Sequence, residues 1–130
     1  MNGYVHDELT RRWAVECGFS ADDAAEIGSA NVAVDRIYNG SVWRNKRYHF
    51  GLLGARRQAR RWLEDAVARR EPALLGQALH CEQDAVSHGL IGHIWHYPGI
   101  DIWERRSPCV RARIEGATKR MLQEYRERAV

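Results

Sequence analysis

Apolar side chains recur at three- and four-residue steps along most of this chain, and no stretch sustains a period of two. A period of about 3.6 belongs to helices that bury one face. The first helix reads from about Val5 to Cys17, closed by Gly18. Ser20 opens the second with SADD, a capping-box pattern in which Asp23 stands in for the usual Glu or Gln. Ala24, Ile27, Ala30 and Val34 keep its spacing, and it runs out near Tyr38, before the turn signal Asn39-Gly40. The third helix reads from about Tyr48 to Arg69, with Leu52, Leu53, Ala59, Trp62, Leu63 and Val67 on its buried side. The fourth reads from about Pro72 to His88. The segment from Gly89 to Ser107 looks irregular, and Ser107-Pro108 then supplies an N-cap and a first-turn proline for a last helix ending near Glu127. The expected fold is all-α, about five helices in an antiparallel bundle, with residues 1–130 forming one helical domain.

Composition narrows the class more than the function. At 45% hydrophobic and 28% charged, the chain reads as an ordinary globular domain. No apolar run approaches the roughly 18 residues of a membrane span. The opening MNGYVHDELTRRW carries acids where an export signal needs a basic and then an apolar segment, so a cytoplasmic location is expected. Cys17, Cys81 and Cys109 form no CxxC and read as small buried thiols rather than a disulfide framework. The net charge of +3 permits anionic partners without demanding nucleic acid. In ARRQARRW, Arg56 and Arg60, and Arg57 and Arg61, make a basic strip that reads first as a solvated helix face, with contact to an anionic partner as the sharper alternative.

The chemistry concentrates elsewhere. In LGQALHCEQDAVSH, His80, Asp84 and His88 stand four residues apart. Steps of four advance about 40° each on a helix, so the three share a stripe about 80° wide. Imidazole and carboxylate are the ligands expected of a zinc-like ion without thiolates. Asp35 lies on the extension of the second helix's apolar stripe, where a core-facing carboxylate needs a partner. His49 is expected where the third helix begins and His6 at the start of the first. Residue types alone leave two readings open: a metal pocket, or histidines that hydrogen-bond within the core.

Taken in order, His6, Asp35, His49 fourteen residues later, and His80-x3-Asp84 within LGQALHCEQDAVSHG resemble the zinc-dependent phospholipase C and single-strand nuclease superfamily. The resemblance implies an all-α enzyme with two or three zinc ions. Asp35, His49, His80 and Asp84 would hold one, and Asp84 would bridge to a second that His6 also binds. His88 would serve a third with help from His93, His96, Asp101 or Glu104, among which no spacing selects; the family's later His-x3-Glu pair has no counterpart. Manganese and iron accept the same ligands. The implied reaction is hydrolysis of a small phosphodiester or phospholipid head group, with Asp35 as candidate general base; nucleic acid is less favoured. Trp43, Trp95, Tyr97 and Trp103 are candidate pocket walls, though packing is their plainer role. Two other classes stay in view: a metal-binding or sensing module without turnover, and a metal-free helical interaction or nucleic-acid-binding protein.

Overall fold

The computed structural model describes residues 3–50, 53–88 and 102–130, and every regular element among them is helical. In chain order these are a π-helical turn (Tyr4–Leu9) leading into α1 (Thr10–Glu16), then α2 (Ala21–Ile37), a 3-10 turn (Trp43–Tyr48), α3 (Ala55–Arg69), α4 (Pro72–His88), a 3-10 turn (Trp103–Arg105) and α5 (Pro108–Arg128). The all-α expectation holds. Helix α4 is the central element: eleven of its seventeen residues are buried, and it packs against α2, α3 and α5. Ile27, Leu63, Leu75, Leu79, Ile114 and Leu122, drawn from all four of these helices, are fully buried. Each such side chain stabilises the fold by about 1.5–3 kcal/mol relative to exposure.

Local chemistry explains the boundaries. Ser20 accepts a hydrogen bond from the Asp23 amide at 3.1 Å, and Ser107 accepts one from the Val110 amide at 3.2 Å, so both N-caps form as the sequence indicates. One glycine sets the spacing that the site depends on. A Cβ on Gly76 would fall 2.3 Å from the Ile27 carbonyl oxygen and 3.1 Å from the Asn31 nitrogen, so its absence lets α4 lie directly against α2.

The expected start of the third helix is wrong. Residues 43–48 form a separate 3-10 turn, and α3 begins only at Ala55. Gly54 takes φ 107°, a left-handed conformation that interrupts helical continuity, and the Leu53 and Ala55 amides both close on the Phe50 carbonyl. His49 therefore caps the 3-10 turn rather than opening a long helix. On α3 the fully buried positions are Ala55, Ala59, Leu63 and Ala66, while Leu53, Trp62 and Val67 are only partly covered. Leu52 and residues 89–101, part of the stretch expected to be irregular, lie outside the described residues.

Candidate metal centre

Three segments far apart in sequence deliver ligand-type side chains to one place. Helix α2 brings Asp35 in its last turn, the 3-10 turn ends on His49, and α4 presents His80 and Asp84 on successive turns. One ligand atom from each of these four lies within 4.8 Å of all the others, so the group can hold a metal ion. The π-helical turn adds His6, whose ring stacks on that of His80 with centroids 3.9 Å apart. His6, His49, His80 and Asp84 are buried; Asp35, with its side chain 49% exposed, forms the mouth.

Asp84 is the hub. Its Oδ2 lies 2.9 Å from His49 Nδ1 and 3.1 Å from His80 Nε2, while its Oδ1 lies 3.3 Å from His6 Nε2. Asp35 Oδ1 faces the same two nitrogens as Oδ2, at 3.4 Å from His80 and 3.7 Å from His49. The outward nitrogens are all engaged. His80 Nδ1 donates to the Asn31 carbonyl at 2.8 Å, His49 Nε2 donates to the Tyr38 carbonyl at 2.5 Å, and His6 Nδ1 meets Gln83 Oε1 at 3.0 Å. A carbonyl can only accept, so His80 and His49 each carry a hydrogen on the outer nitrogen. In their neutral forms both inner nitrogens, 3.2 Å apart, would then present lone pairs to each other and to two carboxylates. That arrangement requires a positive species between them. Outward imidazole N–H groups tied to protein acceptors are what orients a histidine for a metal.

In the absence of a metal the positive species is a proton. Burial opposes charge on His80, but the Asp84 and Asp35 carboxylates outweigh it and push the ring up to about 9. Burial and the adjacent His80 instead push His6 down. Burial raises both carboxyls, yet hydrogen bonding and attraction from His80 hold Asp35 low, and attraction from the N-terminal ammonium and then His80 holds Asp84 well below the carboxylate range. The His80 proton thus sits between two ionised carboxylates, the place a divalent cation would take. His6 Nε2 is a buried polar atom with no hydrogen-bond partner, which is a second observation that the donor set fits a cation.

The other expected site residues fare differently. His88 lies on α4 but outside the cluster: its Nδ1 donates to the His49 carbonyl at 3.0 Å and its ring packs near Phe50, so it supports the backbone that carries a ligand. His93, His96 and Asp101 lie outside the described residues, as do Trp95 and Tyr97, and Glu104 is exposed on the second 3-10 turn. Trp103 packs edge-on against Trp13, and Trp43 is exposed beside Lys46. The basic strip is partly neutralised: Arg60 makes two 2.8 Å hydrogen bonds to Glu124, and Arg128 ties Glu64 to Glu124 across α3 and α5. Of the cysteines only Cys81 is fully buried; Cys109 is exposed, because it sits in the first turn of α5.

Sequence reasoning missed the supporting residues Asn31, Gln83 and the Tyr38 carbonyl. A signal existed for two of them. Asn31 stands four residues before Asp35 and Gln83 three after His80, both polar residues on faces that must be buried. No family model matches the chain, and no curated protein and no solved structure matches it.

Proposed function

We propose that this protein is a metal-dependent hydrolase of phosphodiesters, using zinc or a similar divalent cation. The observation that supports it is the convergence of inward imidazole nitrogens, each with its outer nitrogen tied down, on two ionised carboxylates. The phosphodiester class rests on the order and spacing of His6, Asp35, His49, His80 and Asp84, which resemble the phospholipase C and nuclease pattern. A bound ion supplies Lewis-acid polarisation of a phosphoryl oxygen and lowers the pKa of water to about 7.

The chain's own groups do the rest. The Asn31 and Tyr38 carbonyls hold the His80 and His49 rings, so their inner nitrogens need no reorganisation on loading. Asp84, fully enclosed, faces His6 with one oxygen and His49 and His80 with the other, so each oxygen would be available as a ligand. Asp35 is the member that solvent and a substrate reach. Its depressed pKa keeps it ionised, which suits orienting a water by accepting its hydrogen bond better than retaining that water's proton.

Elemental analysis of protein purified without chelator, paired with hydrolysis of bis(p-nitrophenyl) phosphate, tests the reading. The expected result is at least one zinc-like ion per chain and a nitrophenolate release that chelator abolishes. Both should vanish in Asp84→Asn. No metal, even after zinc is added, overturns the reading altogether. Metal without turnover of any phosphodiester overturns the hydrolase and leaves a metal-binding module.

A further inference from the structure

The side chain of Gln83 lies at the centre of a buried polar chain that joins four helical segments, and the direction of every hydrogen bond in that chain can be worked out. Thr10 Oγ1 lies 2.7 Å from the Val5 carbonyl oxygen, and Thr118 Oγ1 lies 2.8 Å from that of Ile114. A carbonyl only accepts, so each hydroxyl uses its single hydrogen there. Toward any other neighbour both hydroxyls can then only accept. Their neighbour is the Gln83 amide group, with Nε2 2.9 Å from Thr10 and 3.1 Å from Thr118, and the amide nitrogen must be the donor. The amide Oε1 faces the other way, where Asn31 Nδ2 donates to it at 3.0 Å and His6 Nδ1 stands at 3.0 Å.

An amide oxygen only accepts, so the hydrogen of neutral His6 must sit on Nδ1. Nε2 is then a bare lone pair, fully buried, 3.3 Å from Asp84 Oδ1, which is also an acceptor. We infer that Gln83 is a positioning residue: by reading its orientation from Thr10 and Thr118, it selects the His6 tautomer whose Nε2 faces Asp84 as a metal ligand. All four hydrogen-bonding positions of Gln83 are in use, two accepting and two donating, and the residue is fully buried, so no partner remains to hold the amide the other way round. Asn31 extends the same direction to the neighbouring ring, since its amide nitrogen donates to Gln83 while its backbone and side-chain oxygens accept from His80 Nδ1 at 2.8 and 3.2 Å. The tautomers of the two stacked histidines are thus set by one network rooted outside the centre, and Gln83 is its branch point.

This rests on the metal-centre reading for its purpose but not for its first observable. Long-range ¹⁵N–¹H NMR of histidine-labelled, metal-free protein distinguishes Nδ1–H from Nε2–H imidazole. His6 in the unsubstituted chain is expected as Nδ1–H. Gln83→Met, of similar size but without donor or acceptor, should give mixed His6 tautomers and weaken zinc at the His6 position by about 10- to 100-fold, the usual loss on removing such support. Zinc at Asp35, His49 and His80 should persist. Gln83→Glu keeps an acceptor toward His6 and should hold its hydrogen on Nδ1, which a purely structural role would not predict, although the lost donors toward Thr10 and Thr118 lower stability. His6 found as Nε2–H in the unsubstituted chain overturns the inference without any variant. So does a Gln83→Met protein that retains the Nδ1–H form and full affinity. Should Gln83→Met fail to fold, Thr118→Val, which removes one anchor of the amide, must still raise the Nε2–H population; an unchanged spectrum counts against the inference. An Nδ1–H His6 in a chain that binds zinc nowhere would sink the metal centre while supporting the role of Gln83 in choosing the tautomer.

Discussion

Raising the pH from 6.5 to 9 should destabilise the metal-free protein and leave the zinc-loaded protein nearly unaffected. His80 provides the reason. Its folded pKa is pushed up to about 9 against an ordinary value of 6.5, with burial outweighed by Asp84 and Asp35. A group with a raised folded pKa contributes its full stability below 6.5 and loses it as pH rises through 9. At 1.36 kcal/mol per unit, a rise of about 2.5 units corresponds to about 3 kcal/mol. Asp35 is half exposed, and solvent screening of its share brings the figure toward about 2 kcal/mol. His6, pushed below 6.5 by burial and His80, is mostly neutral across this window and adds little to the change. In a chain of this size a loss of about 2–3 kcal/mol lowers Tm by roughly 6–12 °C. Urea unfolding followed by far-UV circular dichroism at the two pH values, with chelator and with zinc, reads the effect directly. An ion in place of the His80 proton would leave the loaded protein's midpoint unchanged across the window. Equal losses with and without zinc, or a metal-free protein indifferent to pH, would refute the proton-for-metal exchange.

Other outcomes follow from the same geometry. Zinc binding near pH 7 should release about one proton per chain from His80, measured by calorimetry in buffers of different ionisation enthalpy; zero release would show that the proton is not where the carboxylates place it. Gly76→Ala should cost about 1–3 kcal/mol or more in urea unfolding and weaken zinc binding, because the new Cβ would strike the Ile27 carbonyl and push α4 off the Asn31 segment that orients His80. Ser107→Ala should cost about 1 kcal/mol through the lost cap on α5 while leaving metal content unchanged, a control that separates stability from the site.

The helices were legible because their signals are local. Ser20 and Ser107 cap the helices they precede, and the i, i+4 step from His80 to Asp84 puts both on one face whatever surrounds the helix. That step, with the carboxylate of Asp35 on an apolar stripe, pointed to three of the four residues that meet, and His49 came from the order and spacing that the family resemblance rests on. The start of α3 was not legible: Tyr48 to Arg69 has helical spacing throughout, and only the left-handed φ at Gly54 shows that the chain breaks there. His88 shares the stripe with His80 and Asp84, yet it reaches the His49 carbonyl instead, since a stripe fixes direction but not what stands opposite.

What tertiary structure alone decided is which nitrogen of each ring faces inward. Residue type and helical spacing specify that a histidine is present and where it points. The tautomer depends on acceptors brought from elsewhere: Tyr38 for His49, Asn31 for His80, and, through Thr10 and Thr118, Gln83 for His6, a pair 77 residues apart. Those contacts exist only after α1, α2 and α5 have packed around α4, because a hydrogen bond requires its partner within about 3 Å and sequence spacing sets such distances only along a single helix.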